Sequence, residues 1–247
     1  MTEALFLISP GAFGTPGAGD LLVVDGAEGR HAATVARTRT GDRIYLGDGA
    51  GARALAEVTG VERSLVRARV LEVEHRSLPE PRFVLVQALA RGERDEQAIE
   101  AATELGVDEI IPWEASRSVV RWRGDRAERS RRRWESVVTA ATKQSRRHHV
   151  PVVASLAGEP LVVERIERAA LALALHQQAD EPLAAVEVPS CGDVVVIVGP
   201  EGGLSPDEVA RFAAAGARSV RLGSEVLRAS SAGPAALAVL SGMSRWR

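Results

Sequence analysis

VVVIVGPEGGLSPDEV, residues Val194–Val209, joins an unbroken apolar segment to Gly199-Pro200-Glu201-Gly202-Gly203 and then to a helix start. A continuous apolar run, rather than an alternating one, is what a strand buried on both faces requires. Such strands belong to parallel sheets covered by helices. Ser205 is placed to cap the helix, Pro206 falls in its first turn and Gly216 marks its end. Ligands in parallel sheets bind at the carboxyl ends of strands, and a glycine-rich loop there lets backbone approach a ligand and offers it N–H groups. A tight strand–helix connection also uses Gly and Pro, so spacing alone leaves both readings open. The loop is neither GxGxxG nor GxxxxGK[ST], so both common nucleotide fingerprints are absent.

Outward from this stretch, strand and helix alternate. FVLVQALA (Phe83–Ala90), DEIIPW (Asp108–Trp113), VPVVASL (Val150–Leu156), AALALALH (Ala169–His176) and RSVRLG (Arg218–Gly223) read as strands. RDEQAIEAATELG (Arg94–Gly106), Asp125–Arg147, Ser205–Gly216 and a final small-residue segment through Met243 read as helices. In the second helix Trp134, Val137, Val138 and Ala141 follow i, i+3, i+4, i+7 and predict a buried stripe. This alternation predicts an α/β parallel sheet with helices on both faces. The stretch Arg221–Leu240 (RLGSEVLRASSAGPAALAVL) adds a second loop that gathers backbone donors and the hydroxyls of Ser230 and Ser231 at a helix start; ordinary capping would explain those hydroxyls equally well.

The first third has another rhythm. Asp20–Gly26, Asp42–Gly49, Ala52–Val61 and Leu65–His75 are short, partly alternating runs punctuated by Gly and Asp. They predict a small β-barrel over residues 1–75. RSLPEPR (Arg76–Arg82) predicts a linker, leaving residues 83–247 as the α/β domain.

Among the 247 residues, 45% are hydrophobic and 26% charged, which excludes a disordered or coiled-coil chain. Cys191 is the single cysteine, so no disulfide framework or cysteine zinc site is available. The apolar run Ala4–Ile8 is too short for a signal peptide or membrane span, and a cytoplasmic protein with no membrane or metal partner is expected. The net charge is −2, yet Arg117–His149 holds eleven Lys or Arg and three acids, a local +8 against −10 elsewhere. Concentrated basicity is the footprint of a nucleic-acid partner. AATKQSRRHHVP (Ala140–Pro151) ends a helix in cations, which the helix dipole favours whatever their function. Trp122, between two arginines, is a candidate either for stacking on a base or for packing.

ATELGVDEIIPWEASRS, AATKQSRRHHVP, VGPEGGLSPDEV and LGSEVLRASSAGPAALAVL, in this order behind a small β-domain, resemble the RsmE-type 16S ribosomal RNA (uracil-N3) methyltransferases of the SPOUT class. The resemblance is tight from Phe83 onward and looser before Arg76. It departs where the family often reads KATELG, against Ala101-Ala102-Thr103-Glu104-Leu105-Gly106 here, and LRTETA, against Leu227-Arg228-Ala229-Ser230-Ser231-Ala232. A carboxylate common in that loop is thus Ser230.

The resemblance implies a PUA-like barrel, a SPOUT sheet with a C-terminal trefoil knot, a homodimer, and S-adenosylmethionine (SAM) as cofactor. Carried over by position, the cofactor contacts are Leu175, His176, Gly199, Pro200, Glu201, Gly202, Gly203, Leu222, Gly223, Val226, Leu227, Arg228, Ala229, Ser230 and Ala232. The implied reaction methylates N3 of a uridine in 16S ribosomal RNA of the small subunit. Arg228 is the expected stabiliser of negative charge on uracil O2 or O4. Glu201 is expected either to take the N3 proton or, the favoured reading, to fix the loop by accepting N–H bonds. Because N3 lies on the Watson–Crick edge, the target base must be unpaired or splayed out. Arg30, His31, Arg37, Arg39, Arg117, Gln144, Arg146 and Arg147 are the expected RNA contacts. A ribosome-assembly protein that binds RNA without activity, or a methyltransferase for a different RNA, would share these features.

Overall fold

The structure is a computed structural model and describes residues 3–247. Two compact units divide it, the first formed by residues up to Leu78 together with Thr142–Val150, the second by Pro79–Ala141 and Pro151–Arg247. The separation at Leu78/Pro79 falls inside the expected linker. The expected second domain is not continuous, because the segment Thr142–Val150 groups with the first unit.

The first unit contains strands β1 (Leu5–Leu7), β2 (Leu21–Val24), β3 (Arg43–Gly47), β4 (Ala52–Glu62) and β5 (Leu65–His75). A single helical turn, α1 (Pro10–Phe13), follows β1; α2 (Gly26–Arg30) runs on into a π-helical turn at His31–Val35. The sheet order is β1-β3-β4-β5-β2, antiparallel except for the parallel pairing of β1 with β3. Alternation does the sorting: Ala52, Ala54, Ala56 and Val58 of β4 and Val66, Ala68 and Val70 of β5 turn inward onto Phe6, Phe13, Val24 and Leu46. Arg53 and Glu57 of β4 stay on the other face. The segment Thr142–Val150 is tied to this unit by polar contacts. Lys143 pairs with Glu28 at 3.0 Å, the Arg53 guanidinium donates to the Arg146 carbonyl at 2.8 Å, and His148 Nε2 lies 3.0 Å from Glu74.

The second unit runs β6 (Arg82–Ala88), α3 (Arg94–Glu104), β7 (Glu109–Trp113), α4 (Asp125–Ser145), β8 (Val152–Val153), α5 (Glu159–Arg168), β9 (Leu171–Leu175), β10 (Glu181–Pro182), β11 (Asp193–Val198), α6 (Pro206–Ala214), β12 (Arg218–Arg221) and α7 (Ala229–Met243). Its seven strands lie in the order β10-β12-β9-β11-β6-β7-β8, all parallel. The expected strand Val150–Leu156 contracts to Val152–Val153, and α5 occupies a segment left without an assigned element by the sequence pattern. The central strands bury both faces. Val84, Val86, Ala172, Ala174, Val195 and Ile197 form one layer with Val162 and Ile166 of α5 and Phe212 of α6. The alternate residues Phe83, Leu85, Leu173, Val194 and Val196 are equally buried, and on this unit α3 packs along α7, which covers β6 and β11. Three neighbouring strands, β12, β9 and β11, therefore end side by side, and their outgoing loops converge. Among the described residues no helix is long and apolar enough to cross a membrane.

Candidate functional site

A cavity of about 940 Å³ opens at those three strand ends. Its walls are Leu175 and His176 after β9, Gly199, Pro200, Glu201, Gly202 and Gly203 after β11, and Leu222, Gly223, Val226, Leu227, Arg228, Ala229 and Ala232 after β12. Those are the contact candidates from the sequence, with Ser230 excepted: it sits in the first turn of α7 and does not line the cavity. The helix begins one residue earlier than expected, with Arg228 at the N-cap and no side-chain cap, so neither serine caps it and Pro234 lies beyond the first turn. Arg94, Gln177, Gln178, Val209 and Glu225 also line the cavity. Nothing in the local pattern marks them; they are brought in by strand order.

The glycine loop is held from several directions. Trp113, at the end of β7, donates its Nε1 proton to the Val198 carbonyl at 3.0 Å, at the point where β11 enters the loop. Glu201 Oε1 accepts the backbone N–H of Arg91 at 3.0 Å and faces the Arg94 guanidinium at 3.4 Å. Gly203 takes φ +69°, a left-handed conformation that favours glycine, and its N–H closes a turn on the Pro200 carbonyl at 2.8 Å. The N–H groups of Glu201 and Gly202 have no acceptor among the described residues and remain available to a ligand.

Below the loop, α6 starts as the sequence predicts, with a capping box between Ser205 and Glu208. Glu208 does more than cap. It is buried, and its second oxygen accepts the Ser116 N–H at 2.7 Å. Burial pushes its carboxyl up, but the N–H groups of Ser116 and Ser205 outweigh that and hold it below the ordinary value.

Arg228 is exposed on the cavity wall, and its side chain has no partner among the described residues. Glu225, on the same loop, is likewise exposed and has no ion-pair partner among the described residues. Glu201 differs from both in being engaged.

The expected RNA contacts separate into two groups. Arg30, His31, Arg37 and Arg39 lie in the first unit and are exposed; Gln144, Arg146 and Arg147 belong to the same unit through the segment Thr142–Val150. Arg37 and Arg146 both adopt left-handed backbone, at φ 54° and 56°. The guanidinium groups of Arg30, Arg37 and Arg39 pair with no acid among the described residues, and the His31 ring rests edge-on to Phe6. Arg117 stands apart. It lies in the second unit, lines the cavity, and donates from Nη1 to the Gly202 and Leu204 carbonyls at 2.9 and 3.2 Å. Trp122 is buried edge-on against Trp134 with ring centroids 5.2 Å apart, which resolves the stacking-or-packing alternative in favour of packing. Arg131, Arg132 and Arg133 are spent on Glu128, Glu135, Glu93 and Glu96. Among the described residues no group of His, Cys, Asp or Glu is arranged to hold a metal.

Comparison with known proteins gives these features a family. Residues 77–241 match the RNA methyltransferase domain and residues 24–71 the RNA methyltransferase PUA domain. The chain is 43% identical to ribosomal RNA small subunit methyltransferase E of Mycobacterium bovis, over 94% of this chain and 90% of the relative. Against the Bacillus subtilis protein of the same name it is 29% identical, over 88% of each. Among solved structures, ribosomal RNA small subunit methyltransferase E from Neisseria gonorrhoeae bound to SAM superposes with a TM-score of 0.85 at 27% identity, covering 98% of both chains. A Legionella pneumophila protein in complex with bound SAM gives 0.84 at 26% identity, covering 99% of both. With a PUA domain ahead of a SPOUT-type parallel sheet, the chain belongs to the ribosomal RNA small subunit methyltransferase E family.

Proposed function

We propose that this protein is a SAM-dependent methyltransferase that modifies N3 of a uridine in 16S ribosomal RNA of the small subunit. The observation that carries the reading is the convergence of the loops after β9, β11 and β12 on one cavity, with unspent backbone donors on the glycine loop and an unpaired Arg228 on the wall. The cavity volume lies within the roughly 300–1,000 Å³ of small-molecule and cofactor sites. The residues suit SAM chemically. Leu175, Leu222, Val226 and Leu227 give apolar surface for an adenine, while the N–H groups of Glu201 and Gly202 give donors for its polar groups. Bound there, SAM would supply a methyl group on a positively charged sulfur, with a neutral thioether as the leaving group.

The residues of this chain then have two tasks. Alignment of the uracil against the methyl is a matter of position and orientation. The second task is charge: N3 carries a proton at neutral pH, and as that proton passes to solvent water negative charge spreads over O2 and O4. Arg228, free of internal partners, stabilises that charge. Glu201 fixes the glycine loop through Arg91 and is a positioning group. The exposed arginines of Arg30–Arg39, with Gln144, Arg146 and Arg147, bind phosphates of the ribosomal RNA, and His31 adds a ring for the same partner.

The resemblance supports two further elements of this reading, a trefoil knot formed by the cavity loops and a homodimer; the substrate implies a cytoplasmic location. The test is methyl transfer from labelled SAM to small ribosomal subunits of a strain lacking the enzyme, followed by digestion to nucleosides. Label in 3-methyluridine is the expected result. Label in another nucleoside would overturn the N3 assignment, and no label together with no SAM binding would overturn the enzymatic reading.

A further inference from the structure

Ser116 and Arg117 are consecutive residues in the loop after β7, and both are bonded to the segment that carries the glycine loop. The Ser116 N–H goes to Glu208 at 2.7 Å. The Arg117 Nη1 donates to the carbonyls of Gly202 and Leu204 at 2.9 and 3.2 Å. These two carbonyls flank Gly203, the residue with φ +69°. One nitrogen thus bridges both sides of the loop's left-handed glycine. The approach is close as well: a Cβ on Gly202 would lie 3.2 Å from the Arg117 Cβ. The bridge acts together with the Gly203–Pro200 bond and the Glu201–Arg91 bond, and among the described residues it leaves the Glu201 and Gly202 N–H groups unspent. A loop fixed before its ligand arrives avoids the entropy of ordering on binding.

We infer that Arg117 is a positioning residue that preorganises the glycine loop for the cofactor, and is not a phosphate contact. The inference rests on the reading of the cavity as a SAM site. The protein's own basicity around Arg117 points the other way, toward RNA, so the two roles predict different losses.

The experiment compares Arg117→Ala and Arg117→Lys with the native protein in three measurements: calorimetric affinity for SAM, amide exchange at Gly202–Leu204 in ligand-free protein, and affinity for small ribosomal subunits as a function of salt. Losing a charge-assisted bridge to two carbonyls should weaken SAM about tenfold in the alanine variant. Exchange at Gly202–Leu204 should accelerate in the same variant, without ligand present. Subunit affinity and its salt slope should be unchanged. Lysine, which keeps a donor of similar reach, should restore most of the affinity. Unchanged SAM affinity and exchange, with a reduced salt slope, would overturn the inference and return Arg117 to the RNA contacts. Native protein that fails to bind SAM would overturn the cofactor reading itself; accelerated exchange in the ligand-free variant would still show the clamp.

Discussion

The Glu201 carboxylate accepts the backbone N–H of Arg91 at 3.0 Å, linking the loop after β11 to the loop after β6. A carboxylate engaged this way is a good loop anchor. Glu201→Gln keeps an oxygen in the same place. It should bind SAM within about threefold of the native protein and retain most of kcat, since a neutral acceptor loses only part of a modest hydrogen bond. Glu201→Ala should weaken SAM by about tenfold. A glutamine variant that binds SAM normally but loses turnover would make Glu201 the base.

Arg228 has the opposite character, a guanidinium on the cavity wall without a partner among the described residues. If it stabilises charge that develops on the uracil, its loss should fall on the chemical step. Arg228→Ala should lower kcat by about 10²–10³, the range for removing one preorganised donor to a developing anion. SAM affinity should change little, and single-turnover rates at saturating SAM are the measurement. A variant that lost only SAM affinity would make Arg228 a cofactor contact.

Legibility in the sequence follows the range of the interactions. The β4–β5 hairpin could be read from Ala54, Ala56 and Val58 because alternation is local, and both cavity loops could be read because each follows an apolar strand directly. Strand β1 was hidden: three residues have no period, and its parallel pairing of Leu5 with Tyr45 is non-local. Helix α5 was hidden because Val162, Val163 and Ile166 are β-branched residues typical of strands. The grouping of Thr142–Val150 with the first unit had no sequence sign, since α4 runs through Thr142 without a break. The loop contacts of Glu208 and Arg117 went unread for one reason. Their partners, Ser116 and Gly202, stand 92 and 85 residues away, and only the sheet order brings them together.

Arg30, Arg37 and Arg39 are exposed and pair with no acid among the described residues. A charge unspent inside the protein is the kind available to phosphate. Replacing each by alanine should weaken binding of the small subunit. The slope of log affinity against log salt should fall by about 0.7 for each phosphate no longer neutralised, the value for single-stranded nucleic acid. Lys143, already paired with Glu28 at 3.0 Å, should change the slope less. Filter binding over a salt series checks this, and equal slopes across all four variants would remove these residues from the interface.

Asp108 and Arg245 form an ion pair in which the Asp108 side chain is fully buried. Asp108 also accepts the Phe83 N–H at 2.9 Å, and the Arg245 guanidinium lies 3.9 Å from the centroid of the Phe83 ring. Removing one partner strands the other in the interior. Asp108→Asn keeps the acceptor for Phe83 yet leaves the guanidinium uncompensated, and should cost about 3–5 kcal/mol. Pairing it with Arg245→Met should recover a measurable part of that loss, because the stranded charge is gone. Additive losses in a urea-denaturation cycle would show that the pair is not coupled.

His148, in the segment Thr142–Val150, is buried beside Glu74, Arg53 and Arg76. Burial lowers its pKa below the ordinary 6.5, and the Arg53 and Arg76 charges lower it further against the opposing pull of Glu74. The imidazole is therefore neutral in the folded protein at pH 7. The unfolded chain takes up the proton first on acidification, so stability is lost as pH falls from 6.5 toward the folded value. Glu74 shifts down too, chiefly through its hydrogen bond from Arg53, so its contribution persists until the pH falls through its lowered value, below the ordinary 4.5. The His148 loss begins at 6.5 and the Glu74 loss only at 4.5, so one substitution tests the first. In His148→Gln, amide protection of β4 and β5 should fall less than in the native protein as the pH drops from 6.5 toward 4.5. Parallel pH profiles for native protein and variant would show that His148 carries no such linkage.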